Sequence, residues 1–114
     1  MQLQKKKLGF WNTVYFLNFA GIEYIVDMDG FLIDWTTWDH NWLRHVLQIQ
    51  KITNYTEERA MIVSKLRAYH QETGVMPMVR MIRGITGFSL KEIYEIFPLG
   101  IASVYKLAGL PKPC

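Results

Sequence analysis

The chain changes its hydrophobic rhythm about a third of the way along. Val14 to Phe19 concentrates aromatic and β-branched residues, Ala20-Gly21 interrupts the run, and Ile22 to Val26 resumes it. Two such runs around a two-residue break predict a short antiparallel hairpin. Asp27-Met28-Asp29-Gly30 reads as a turn, with glycine where a positive φ is needed. Phe31-Leu32-Ile33 then predicts a third strand. Residues 1–13, with Lys5, Lys6 and Lys7, read as a polar, basic extension.

From Asp39 onward the period is helical. Asp39 predicts an N-cap for a helix to about Gln50, with Trp42, Leu43, Val46, Leu47 and Ile49 as its apolar stripe. Thr56 caps the next helix, Glu57 and Glu58 suit the positive end of its dipole, and Gly74 stops it. Pro77 predicts the start of a helix running to Thr86, with Gly87 as its C-cap. Ser89-Leu90-Lys91-Glu92 is a capping box that opens a helix ending near Pro98. A last helix opens at Gly100 or Ile101 and is closed by Gly109. Leu110-Pro111-Lys112-Pro113-Cys114 cannot continue it, and its two prolines predict an extended arm over 110–114. The pattern is that of an α+β protein: a small N-terminal antiparallel β-hairpin packed on a helical body, with a flexible C-terminal arm.

Composition narrows the function classes. A chain of 114 residues fits one domain. It is 50% hydrophobic and 20% charged, which suits a packed core and excludes a disordered chain. A net charge of +3 permits acidic partners or nucleic acid without demanding either. One cysteine excludes an internal disulfide and a Cys-rich zinc site, and a free thiol points to a reducing cytoplasm. The lysines ahead of Leu8 to Phe19 have the outline of a signal peptide. Asn12, Thr13 and Asn18, and the aromatic content, argue against that reading.

The candidate chemistry lies in the tail. Five residues follow Gly109, a reach of roughly 16 Å when extended. Prolines stiffen the arm, so less entropy is lost when it enters a partner's cleft. A thiolate at its tip can attack a persulfide or disulfide. The α-carboxylate of Cys114 raises its pKa, whereas Lys112, and Arg80 or Arg83 if the tail folds back, lower it. The bland alternative is an incidental cysteine on a frayed terminus.

Several segments shift that balance. Asp27-Met28-Asp29-Gly30-Phe31-Leu32, Trp38, Arg67-Ala68-Tyr69, Pro77-Met78-Val79-Arg80-Met81, Ile93 to Gly100, and Lys106-Leu107-Ala108-Gly109-Leu110-Pro111-Lys112-Pro113 with Cys114 resemble the DsrC/TusE/DsvC sulfur-relay family from about Tyr15 to the last residue. The resemblance implies one domain over 1–114: a β-hairpin on a helical, helix-turn-helix-like body with a mobile arm bearing the working cysteine. It implies transpersulfidation on Cys114 by a sulfurtransferase-type carrier, with no metal or organic cofactor. It also implies a TusBCD- or DsrEFH-like donor complex, and an acceptor that is a tRNA thiolase or a sulfite reductase. We expect a monomer, without membrane or direct nucleic-acid contact. The sequence departs from the family pattern in places. Cys114 directly follows Pro113, so the Gly before the family's cysteine is missing and the arm is shorter. Tyr105 stands where sulfite-reductase members carry a second cysteine. Gly100-Ile101-Ala102 replaces Gly-Pro-Ala, and Arg59-Ala60 replaces His-Trp. These features resemble the single-cysteine, TusE side of the family.

Other residues have competing readings. Arg80 and Arg83, with Lys106 and Lys112, are candidates for holding a sulfur anion or an acidic partner; the alternative is a solvated basic face. A helix-turn-helix over Pro77 to Phe97 raises DNA binding as the rival function, but Lys91 stands against Glu92 and Glu95 on its second helix. His40, His45 and His70 read as satisfied surface or half-buried histidines rather than metal ligands. Met76, Met78 and Met81 read as core gap-fillers, and Trp35, Trp38 and Trp42 as a packing cluster. No Ser/His/Asp set or P-loop is present.

Overall fold

The computed structural model describes residues 2–8 and 12–113. Three antiparallel strands, β1 (Gln2–Leu8), β2 (Asn12–Phe19) and β3 (Ile22–Val26), form a sheet in the order β1-β2-β3. The β2–β3 hairpin closes through the two-residue loop Ala20-Gly21, with Phe19 opposite Ile22. Both loop residues have positive φ, the conformation that matches the twist of the flanking strands. The segment read as an extension contains β1, which pairs with β2 from Gln2↔Asn18 to Leu8↔Asn12. Three consecutive lysines hide the alternation of a strand, and lysine-rich sequence is tolerated at a sheet edge.

The expected third strand is reduced to one bridge, Val26↔Leu32. The Asp27 carboxylate accepts the N–H groups of Asp29 and Phe31 at 2.8 and 3.0 Å, which curls the chain into a tight turn. Asp34 then caps a 3-10 turn at Trp35–Thr37, so Phe31 to Ile33 has no length left to pair.

Five helices follow among the described residues: α1 (His40–Ile49), α2 (Glu57–Thr73), α3 (Ile82–Thr86), α4 (Leu90–Ile96) and α5 (Ile101–Leu107). The caps act as the sequence predicts. Asp39, Thr56 and Ser89 each accept a backbone N–H of the first turn, and the Ser89–Glu92 capping box is complete. Gly74 and Gly87 close α2 and α3 with positive φ. Pro77 does not open a helix. A 3-10 turn occupies Val79–Met81 and α3 begins only at Ile82. The Pro77 carbonyl accepts the buried Tyr105 hydroxyl at 2.6 Å, which holds it against α5.

The core joins both parts of the chain. Tyr24, Val26 and Leu32 pack with Trp42 and Val46 of α1, Ile62 and Leu66 of α2, and Val104, Tyr105 and Leu107 of α5. Burying each such side chain contributes about 1.5–3 kcal/mol. Leu110 belongs to this core and is 0% exposed. The arm therefore leaves the body at Pro111, one residue later than the proline pattern predicts. Met78, read as a gap-filler, is instead 40% exposed. No helix is long and apolar enough to cross a membrane among the described residues.

Candidate functional site: the root of the C-terminal arm

Helix α5 ends in a left-handed residue, Gly109, at φ +71. The Leu110 N–H donates to the Tyr105 carbonyl at 3.0 Å and the Gly109 N–H to the Lys106 carbonyl at 3.1 Å. This is the Schellman pattern, in which a glycine turns the chain and satisfies the last carbonyls of a helix. Side chains supply further donors to this helix end. Trp38 Nε1 donates to Leu107 O, and Trp42 Nε1 to Lys106 O, each at 2.8 Å. Arg67 donates to Ala108 O at 2.7 Å. Its guanidinium also lies 4.2 Å from the centroid of the Trp38 ring. A cation at the negative end of a helix and over an indole face is doubly favoured. Burial lowers the Arg67 pKa, which nonetheless starts from a value high enough to keep the group charged at neutral pH.

The glycine also answers to packing. A Cβ on Gly109 would stand 2.5 Å from Trp38 Cδ1 and 3.0 Å from its Cβ and Cγ. The root is thus fixed by three donors from α1, α2 and the loop before α1, and by an indole that admits only glycine.

Lys106 and Lys112 meet at the Asp27–Gly30 turn. Lys106 Nζ donates to Asp29 O at 2.8 Å and lies 4.7 Å from the centroid of the Phe31 ring. Lys112 Nζ pairs with Asp29 Oδ2 at 3.0 Å. That pair is exposed and is worth at most about 1 kcal/mol, so it can hold the arm against the body and release it readily. Arg80 and Arg83 lie elsewhere. Arg80 lines a groove with Lys65, Tyr69 and Glu72 of α2, and Arg83 faces Glu92 of α4. The structure therefore brings two of the four candidate cations together at the arm and leaves the two arginines on α3 and the turn before it. Cys114 lies outside the described residues.

The sequence alone assigns Arg67 no role and marks Trp38, Trp42 and Gly109 only as packing residues and a helix stop, although Arg67, Trp38 and Gly109 stand in the resembling segments. The tryptophans are more than a packing cluster, because two of them are donors to the same helix end. Arg59, one of the departures, donates to Ile96 O at 3.0 Å and to Asn54 O at 2.5 Å, and so braces the Phe97-Pro98 corner.

His45 corrects another expectation. It is 2% exposed, and its Nδ1 has no hydrogen-bond partner among the described residues. It packs against the rings of Phe19 and Trp42 at 5.2 and 5.3 Å. Burial, and then the nearby Lys106 charge, push its pKa below the ordinary value of 6.5. The sign of the linkage follows. A depressed histidine favours the fold while neutral, so its contribution is present above about pH 6.5 and is lost as pH falls through the folded value. Urea midpoints measured from pH 7.5 down to pH 5 should fall, and His45→Phe should flatten the decline.

Tyr105 occupies a buried position on α5, and its hydroxyl is satisfied by Pro77 O. Tyr105→Phe should cost about 1 kcal/mol, measured by urea unfolding. No change in midpoint would show that the bond to Pro77 contributes nothing.

The helical body thus ends in a rigidly anchored root from which the C-terminal arm departs. Residues 18–114 match the family model described as DsrC like protein. The chain belongs to this family of sulfur-relay proteins. It is 38% identical over 98 residues to the dissimilatory-type sulfite reductase subunit gamma of Nitratidesulfovibrio vulgaris, covering 85% of this chain and 93% of the relative. It is 31% identical over 105 residues to the sulfurtransferase TusE homolog of Haemophilus influenzae, covering 85% and 95%. Among solved structures it is similar to a dissimilatory sulfite reductase I crystal structure, with TM-score 0.75, 39% identity and coverage of 87% and 96%. It is also similar to the oxidized gamma subunit (DsrC) from Archaeoglobus fulgidus, with TM-score 0.68, 34% identity and coverage of 87% and 96%. These relatives support the relay and lend nothing to the DNA-binding reading. Helix α4, which would have to enter a groove, exposes Glu92 and Glu95 beside Lys91.

Proposed function

We propose that the chain carries sulfane sulfur on Cys114 by transpersulfidation. The observation that supports this most directly is the root geometry. The chain is locked to the core through Leu110, and Cys114 follows four residues later, which gives the thiol a span of roughly 13 Å from a fixed point. In the first step the Cys114 thiolate attacks the outer sulfur of a donor persulfide, R–S–SH. A new S–S bond forms on Cys114 and the donor's S–S bond breaks, its electron pair leaving on the donor thiolate. The proton stays on the transferred sulfur until that acidic group ionises. The second step repeats the exchange with the acceptor as nucleophile. No net oxidation occurs, and no cofactor is required.

Cys114 is the only cysteine in the chain, so a disulfide within one chain is impossible and the relay has a single thiol. That favours the TusE mode, with a TusBCD-like donor and a tRNA-thiolating acceptor. Lys112 and Lys106 would steer acidic partner surfaces toward the arm, with Arg80 and Arg83 presenting a separate basic edge. The carrier would act in the cytoplasm as a monomer.

The test is intact mass spectrometry after incubation with a small-molecule persulfide. The chain should gain one sulfur atom on Cys114, and Cys114→Ser should gain none. A folded chain that takes up no sulfur from any persulfide donor, or takes it up equally as Cys114→Ser, would overturn the proposal.

A further inference from the structure

A cavity of about 230 Å³ opens between the Asp27–Gly30 turn and α1. Much of its wall is apolar, from Leu17 of β2, Val26 of β3 and Val46 of α1. Four polar side chains interrupt that wall: Asp27 and Asp29 of the turn, His45 of α1 and Lys106 of α5. His45 is 2% exposed with Nδ1 unpartnered among the described residues. Lys106 gives one of its three N–H groups to Asp29 O, which leaves donor capacity. The carboxylates at the rim are already engaged. Asp27 Oδ1 accepts two backbone N–H groups, and Asp29 Oδ2 holds Lys112.

The combination is selective. An ammonium supplies a countercharge, and the His45 imidazole in the lining adds a ring nitrogen that donates in the matching tautomer. Apolar walls penalise strongly hydrated anions such as sulfate or phosphate, whose lost water they cannot replace. They tolerate a small, polarisable, weakly hydrated monoanion. We infer that this cavity is a binding site for hydrosulfide-type sulfur anions, the terminal sulfur of a persulfide or free hydrosulfide, held by Lys106 and His45. The persulfide source rests on the relay reading above, whereas the free hydrosulfide source does not. The arm suits the first source. Lys112 is clasped at the rim by Asp29, and Cys114 follows it by two residues, about 7 Å of chain.

The two sources are separated by following the His45 ring nitrogens by NMR in the full chain. In one arm, Cys114→Ser is titrated anaerobically with sodium hydrosulfide, with chloride at equal ionic strength as the control. A saturable His45 shift with hydrosulfide alone is expected, and Lys106→Gln should weaken that binding about tenfold. In the other arm, the unmutated chain is persulfidated, its mass is checked, and the same His45 shift is expected without added hydrosulfide. A shift in either arm supports the site, and the arm that shows it names the source. If Lys106→Gln perturbs the turn, the methyl signals of Val26 and Val46 in the unmutated chain provide the second readout. Unmoved His45 and methyl signals in the hydrosulfide arm, and in a persulfidated chain of verified mass, would overturn the site and leave the relay intact. A chain that gains no sulfur would overturn the relay, while the hydrosulfide arm would still decide the cavity.

Discussion

Alanine at position 109 should destabilise the fold by about 2–4 kcal/mol, a large effect for one methyl group. Two causes add. The backbone sits at φ +71, where any Cβ is strained by roughly 1 kcal/mol or more. The methyl would also stand 2.5 Å from Trp38 Cδ1, so the indole must move, and overpacking of this kind costs about 1–3 kcal/mol. Trp38 cannot move freely, because its Nε1 is bonded to Leu107 O and Arg67 covers its face. Urea unfolding monitored by tryptophan fluorescence reads the cost. The same substitution redirects the arm, so sulfur uptake from a protein donor should slow more than uptake from a small persulfide. A midpoint equal to that of the unmutated chain would show that the root is looser than its contacts imply.

Arg67→Met should cost a similar amount, about 2–4 kcal/mol. It removes a charge-assisted bond to Ala108 O worth about 1.5–3 kcal/mol and the stacking over Trp38, worth about 0.5–2 kcal/mol. It also strips the negative end of α5 of its cation. Arg67→Lys keeps the charge but loses the planar fork, so it should recover only part of the stability. Full recovery by lysine would reduce the role of Arg67 to simple charge. Both variants should shift the Trp38 indole N–H resonance, because that donor shares the same helix end.

Local chemistry was legible in the sequence, and distant pairing was not. Asp39, Thr56 and Ser89 mark helix starts because a short polar side chain reaches its own first turn. Gly74, Gly87 and Gly109 mark ends because only glycine enters the left-handed region without strain. The hairpin was readable from its aromatic and β-branched runs on either side of Ala20-Gly21, and the arm from its prolines. The failures share a cause. β1 pairs through its backbone and carries no alternating signature. The third strand yields to a side chain, Asp27, that captures the N–H groups a ladder would use. The root of the arm depends on Arg67 meeting Ala108 across 41 residues and Trp38 meeting Leu107 across 69. No periodicity reports such pairs. The family resemblance pointed to the right segments without saying what the residues do there. His45 could not be recognised as buried from its neighbours in sequence, because its burial is set by Phe19 and Trp42 together.

The burial of Leu110 makes the arm a ruler. A tether anchored in a rigid body delivers its tip at high effective concentration within its span and at none beyond it. With the thiol four residues beyond Leu110, a partner's reactive sulfur must lie within roughly 13 Å of the α5 end once the two bodies have docked. A deeper cleft is out of reach however tightly its owner binds. Partner choice therefore becomes a question of depth, measured from Leu110, before it becomes one of affinity.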